Sequence, residues 1–132
     1  MADYCDFSAL RMRWRPNRFL MLPPGFESVA RAHERSPVFA EAPEALFRRL
    51  KAVIAGEPRI QWLAEDRAGL RLELTQRSRI FRFPDRVSVA VWAGPNGNGS
   101  APALYSRAQV GIWDFGVNRA RVKRWTQALQ AD

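Results

Sequence analysis

The sequence predicts an α+β fold of two layers. An antiparallel sheet of four to five strands has an amphipathic helix before it and a C-terminal helix packed on one face. Three observations predict it. One apolar stripe repeats at helical spacing over residues 46–54. Period-two alternation then dominates residues 60–110, and a second helical stripe follows residue 118. Strands run together and flanked by helices mark α+β rather than an alternating α/β chain. With 132 residues the chain fits a single domain, with residues 1–40 as an irregular covering arm and residues 43–130 as the body.

In the arm, Leu10, Met12 and Trp14 alternate with Arg11, Arg13 and Arg15, which reads as a short strand with a basic outer face. Pro16 and Pro23-Pro24-Gly25 interrupt regular structure. Glu27 to Arg35 reads as two helical turns ended by Ser36-Pro37. Phe19, Leu20, Met21, Leu22, Phe26 and Phe39 make this stretch too apolar for a solvated tail.

The body opens with a helix. Pro43 suits a first helical position, and Leu46, Phe47, Leu50, Val53 and Ile54 form one stripe before Gly56 and Pro58 stop it. Ile60 and Trp62 start a strand, Asp66-Arg67-Ala68-Gly69 makes a turn, and Leu70, Leu72 and Leu74 alternate with Arg71, Glu73 and Thr75. Phe81 and Phe83 change the parity, which predicts a bulge or bend near 76–79 and core positions for both rings. Pro84-Asp85 reads as a turn, and Val87, Val89 and Val91 then face one way. After the loop 94–100, Leu104, Ser106, Ala108 and Val110 alternate with Tyr105, Arg107 and Gln109. Matching faces in a hairpin requires an odd sum of paired numbers. Pairing Val91 with Leu104 and Val89 with Ser106 satisfies it, with Ser88 opposite Arg107 and Ala90 opposite Tyr105. The last helix starts near Asn118, with Val122, Trp125 and Leu129 on its stripe.

Composition narrows the chemistry. Cys5 is the lone cysteine and His33 the lone histidine, so there is neither an internal disulfide nor a Cys/His zinc cluster, and no metal or cofactor is expected. No apolar run approaches a membrane span and the start is no signal peptide, so a cytoplasmic location is expected. Of 21 basic residues only Lys51 and Lys123 are lysines, against 13 acidic ones, for a net charge of +8. Arginine forks suit phosphate and carboxylate, but an arginine skew also follows genomic base composition.

Two stretches break local rules. Arg119, Arg121, Lys123 and Arg124 crowd the first turns of the last helix, where each cation costs about 0.3–1 kcal/mol against the helix dipole. Cations beside free N–H groups would make an anion site. The plainer account has Asp114 or Asn118 capping the helix, Gly116 in a positive-φ turn, and the arginines paired with Asp85 and Asp114. The second stretch, Arg77-Ser78-Arg79-Ile80-Phe81-Arg82-Phe83, interleaves cations and aromatics as single-stranded nucleic-acid binders do, or places core aromatics between outward arginines. No nucleophile elbow, phosphate loop or zinc helix is present, which leans against an enzyme. The one catalytic alternative would use Asp114 with Ser106 or Ser78.

These stretches carry a resemblance. Arg77-Ser78-Arg79-Ile80-Phe81-Arg82-Phe83-x-Asp85, and Ser106-Arg107-x-x-x-Gly111-x-x-Asp114-x-Gly116-Val117-Asn118-Arg119-x-Arg121-Val122, resemble the domain-of-unknown-function family numbered 1499, over about residues 37–130. The chain departs from that family's common pattern at Ile112-Trp113, at Phe115, and after Pro16-Asn17, where no cysteine follows. The resemblance implies a small bacterial-type domain and brings no established activity. It singles out Arg77, Ser78, Arg79, Asp85, Ser106, Arg107, Asp114, Asn118, Arg119 and Arg121 as a candidate ligand-binding set. The leading expectation is a non-catalytic domain whose arginines accept a small anion or an acidic partner surface, with nucleic-acid binding through the basic surface as the alternative.

Overall fold

Helix α1, Pro43–Ala55, forms where the stripe requires it: Leu46, Phe47, Leu50 and Ile54 are buried, and Pro43 occupies the first turn. In the computed structural model, which describes residues 3–12, 16–111, 114 and 116–131, the strands are β1 (Arg18–Leu22), β2 (Glu34–Arg35), β3 (Ile60–Asp66), β4 (Arg71–Arg77), β5 (Pro84–Ala93) and β6 (Ser100–Ala108). Helix α2, Val117–Ala131, closes the chain. The six strands make one open sheet in the order β2-β1-β6-β5-β4-β3. All neighbours are antiparallel except β1 and β2, which are parallel.

Both helices cover the same sheet face. Their apolar stripes meet Phe19, Met21, Leu72, Leu74, Val87, Val89, Val91 and Leu104 in the main core. The strand alternation accounts for this, since each of these residues shares its parity with its neighbours on one face.

The arm differs from the sequence expectation. Instead of lying wholly irregular, it contributes β1, inserted between β6 and β2, so the sheet has six strands rather than four or five. Nearly every side chain of β1 is buried, because apolar layers lie on both sides of it. Phe7, Leu20, Leu22, Ala90, Ala103 and Tyr105 form a second core on the face opposite the helices, with Leu10, Met12, Phe26 and Trp92 packed against it. The segments before and after β1 therefore make a third, irregular layer. No strand forms at residues 10–12, and Arg13, Trp14 and Arg15 lie outside the described residues. Nor do residues 27–35 form helical turns: His33 and Ser36 donate backbone hydrogen bonds to β1 carbonyls, and pairing with β1 satisfies this backbone instead.

Two further expectations are corrected. The β5–β6 hairpin is shifted by two residues, pairing Val89 with Leu104 and Val87 with Ser106. Ser88 faces Tyr105 and Ala90 faces Ala103. A two-residue shift keeps every side chain on its expected face, so alternation alone does not discriminate the two registers. The parity change after Gln76 is a loop between β4 and β5, and the Phe81 and Phe83 side chains are exposed rather than in the core. The ladder irregularity lies elsewhere, between Trp62 and Ala64 of β3.

A buried polar network and an open cleft

Beneath α2, polar side chains that alternation turns inward meet in the core. Arg121 is its centre, forming an ion pair with Asp85 at 2.9 Å while both residues are more than nine-tenths buried. Its guanidinium also donates to Gln76 Oε1, to Ser106 Oγ at 3.0 Å and to Asn118 Oδ1 at 2.9 Å. Ser106 donates to Asn118 Oδ1, and the Asn118 amide donates to Asp114 at 2.7 Å and to the Asn17 carbonyl at 3.0 Å. Burial pushes the Asp85 carboxyl up and the Arg121 guanidinium down, and each charge opposes the neutralisation of the other. Asp114 accepts the backbone N–H groups of Gly116 and Asn118, so it caps α2, while Gly116 at φ 80° makes the turn that delivers the chain to the helix.

Arg107 stands on the opposite sheet face. It donates to Ser88 Oγ at 2.8 Å and lies over the Tyr105 ring, 4.4 Å from its centroid. Ser88 donates to Glu73, which is 1% exposed and also accepts from Arg86 and from the Cys5 N–H. The N-terminal strap is thus tied to a buried carboxylate through its own backbone. Burial is the main cause that raises the Cys5 thiol to about 11. At pH 8 only on the order of one thiol in a thousand is then ionised, and alkylation should run roughly a hundred-fold slower than for an unburied cysteine. A rate with iodoacetamide matching that of the unfolded chain would contradict this.

The remaining candidates gather at one end of the sheet, where the β4–β5 loop faces the β6–α2 passage. Ser78, Arg79, Ile80, Phe81 and Phe83 form one wall of a cleft of about 380 Å³, and Ala108, Val110 and Val117 form the other, with Asp85 and Asp114 also lining it. Ile80 and Phe81 are 80% and 72% exposed, and the Phe81 and Phe83 rings stack at 5.7 Å. Ser78 and Phe83 close the loop on each other: Ser78 N–H donates to the Phe83 carbonyl and Phe83 N–H to Ser78 Oγ. Arg77 donates to the Arg82 carbonyl and Arg59 to the Arg77 carbonyl. Among the described residues, no carboxylate pairs with Arg59, Arg77, Arg79, Arg82 or Arg119, whereas Arg49, Arg67, Arg71, Arg86, Arg121 and Arg124 are all paired.

The ten candidates therefore divide in three. Asp85, Ser106, Asn118 and Arg121 form the buried network, with Asp114 at its edge. Arg107 belongs to the far face. Arg77, Ser78, Arg79 and Arg119 lie at the cleft end. Sequence reasoning missed Asn17, Gln76, Glu73 and Ser88. Gln76 did leave a signal, since it follows Leu72 and Leu74 at their parity and so had to point into the core. Ser106 is fully buried, with Asn118 between it and Asp114, and Ser78 already accepts the Phe83 N–H. Among the described residues neither serine hydrogen-bonds to a carboxylate or imidazole of the kind that activates a nucleophile. His33 accepts the Leu20 N–H on Nδ1 and stacks on Phe19, as a packing residue does. Among the described residues no group of three His, Cys, Asp or Glu could hold a metal ion, and no helix is long and apolar enough to cross a membrane.

Compared with known families, the chain matches the one described as "Protein of unknown function (DUF1499)" over residues 15–129. The match begins before β1, earlier than the sequence reading set it. No curated protein and no solved structure matches.

Proposed function

We propose that this chain, a member of the DUF1499 family of unknown function, is a non-catalytic binding domain whose end cleft accepts an acidic group carried on an apolar body. The carrying observation is an apolar cleft lined by Arg79, which has no carboxylate partner among the described residues, with Arg59, Arg77, Arg82 and Arg119, likewise without one, at the same end of the sheet. Asp85 and Asp114 are already engaged from within, by Arg121 and by the α2 N-terminus. Their charge is thereby offset, and Arg79 on the cleft wall is the cation left to meet an anion. The cleft has the size and apolar lining of a small-molecule site.

Octyl phosphate below its micelle concentration tests the reading. It should raise the melting temperature in proportion to the logarithm of its concentration, because a ligand of the native state stabilises it. Inorganic phosphate and neutral octyl glucoside should each give a much smaller shift. Equal shifts with octyl phosphate and phosphate would mean that the apolar walls take no part. No shift with octyl phosphate would remove the proposal.

A further inference from the structure

We infer that the cleft end docks on an anionic lipid surface, with the β4–β5 loop entering the interfacial layer. This deepens the proposed function and rests on its reading of the same site. Ile80 and Phe81 project from the loop, and Phe83, Val110 and Val117 continue the apolar surface behind them. Solvent exposure of this order at adjacent large apolar side chains has no role in folding, and clustered patches of this kind mark interaction sites.

Topology supplies the charge. The β4–β5 loop, the turn before β3 and the first turn of α2 all lie at the same end of the sheet. That places Arg59, Arg77, Arg79, Arg82 and Arg119 at the same end of the sheet as the apolar side chains, with Arg79 directly beside them in the cleft wall. An apolar tip on an end of the sheet rich in cations matches the headgroup boundary of an anionic bilayer, where aromatic rings enter the interface and arginines meet phosphates. A second copy of the chain fits less well. A two-fold contact would set this patch against itself, and five arginines would face five. A protein partner would need a matching pocket for protruding side chains, which a fluid interface does not. The net charge of +8 adds long-range attraction to the same surface.

Co-sedimentation of the full chain with vesicles tests the inference. Vesicles of equal parts phosphatidylglycerol and phosphatidylcholine should bind it, and phosphatidylcholine alone should bind at least about ten-fold more weakly. R79Q and R82Q should each weaken binding about five-fold. I80S and F81S should also weaken it, while leaving the melting temperature within a few degrees of the parent, since both side chains are exposed. Four results would overturn the inference. Octyl phosphate could shift the melting temperature while neither vesicle binds; the cleft reading would then stand and the bilayer would not. Vesicle binding indifferent to I80S and F81S would show charge attraction without insertion. Equal binding to both vesicles would remove the anionic requirement. Binding to single-stranded oligothymidylate, with no vesicle binding, would place the cations on a nucleic acid.

Discussion

The R121M variant should lose about 3–5 kcal/mol of stability, the usual cost of removing one partner of a buried ion pair. Asp85 would be left as an uncompensated buried carboxylate, and Gln76, Ser106 and Asn118 would each lose a donor. For a chain of this length the melting temperature should fall by roughly 10–20 °C. Urea denaturation of R121M, D85N and the double variant checks the claim as a cycle. The double variant should be more stable than the sum of the single losses implies, because it removes both charges together. A loss below about 1 kcal/mol in R121M would mean that water or another group replaces the guanidinium, and the network would not hold α2 as described.

E73L tests the opposite face. Glu73 accepts from Arg86, Ser88 and the Cys5 N–H, and its loss leaves Arg86 without its carboxylate beneath the N-terminal strap. A loss of about 3–5 kcal/mol is expected. The effect should also be local: Cys5 alkylation should accelerate more than global unfolding explains, because the strap loses its anchor. Removing the Glu73 charge also removes one of the causes that raise the thiol pKa, which acts in the same direction. If E73L unfolds easily while Cys5 stays as protected as the global stability dictates, the strap does not depend on that carboxylate.

Periodicity made α1 and the faces of β4, β5 and β6 legible, because each of these elements buries one side and exposes or differently packs the other. It failed at β1. The run Phe19, Leu20, Met21, Leu22 is apolar on consecutive positions, and a strand buried on both faces has no alternation to read. The candidate site divided for a related reason. Arg107 and Ser106 are neighbours in sequence and opposites in the sheet, since adjacent strand residues point to opposite faces. Phe81 and Phe83 were legible as an anomaly, yet their aromatic character argued for the core; only the closing of the loop through Ser78 put them outside.

By itself the sequence determined the fold class, the family, both helices and the excess of arginine near the last helix. These depend on residues close together in the chain, where spacing alone sets which side is apolar. The tertiary structure decided what each arginine does. Arg121 answers Asp85, thirty-six positions away, Arg107 rests on Tyr105 over the second core, and Arg79 borders an open cleft. A guanidinium has the same charge and fork in all three places. Burial and the nearest carboxylate distinguish them, and both are set by which strands become neighbours.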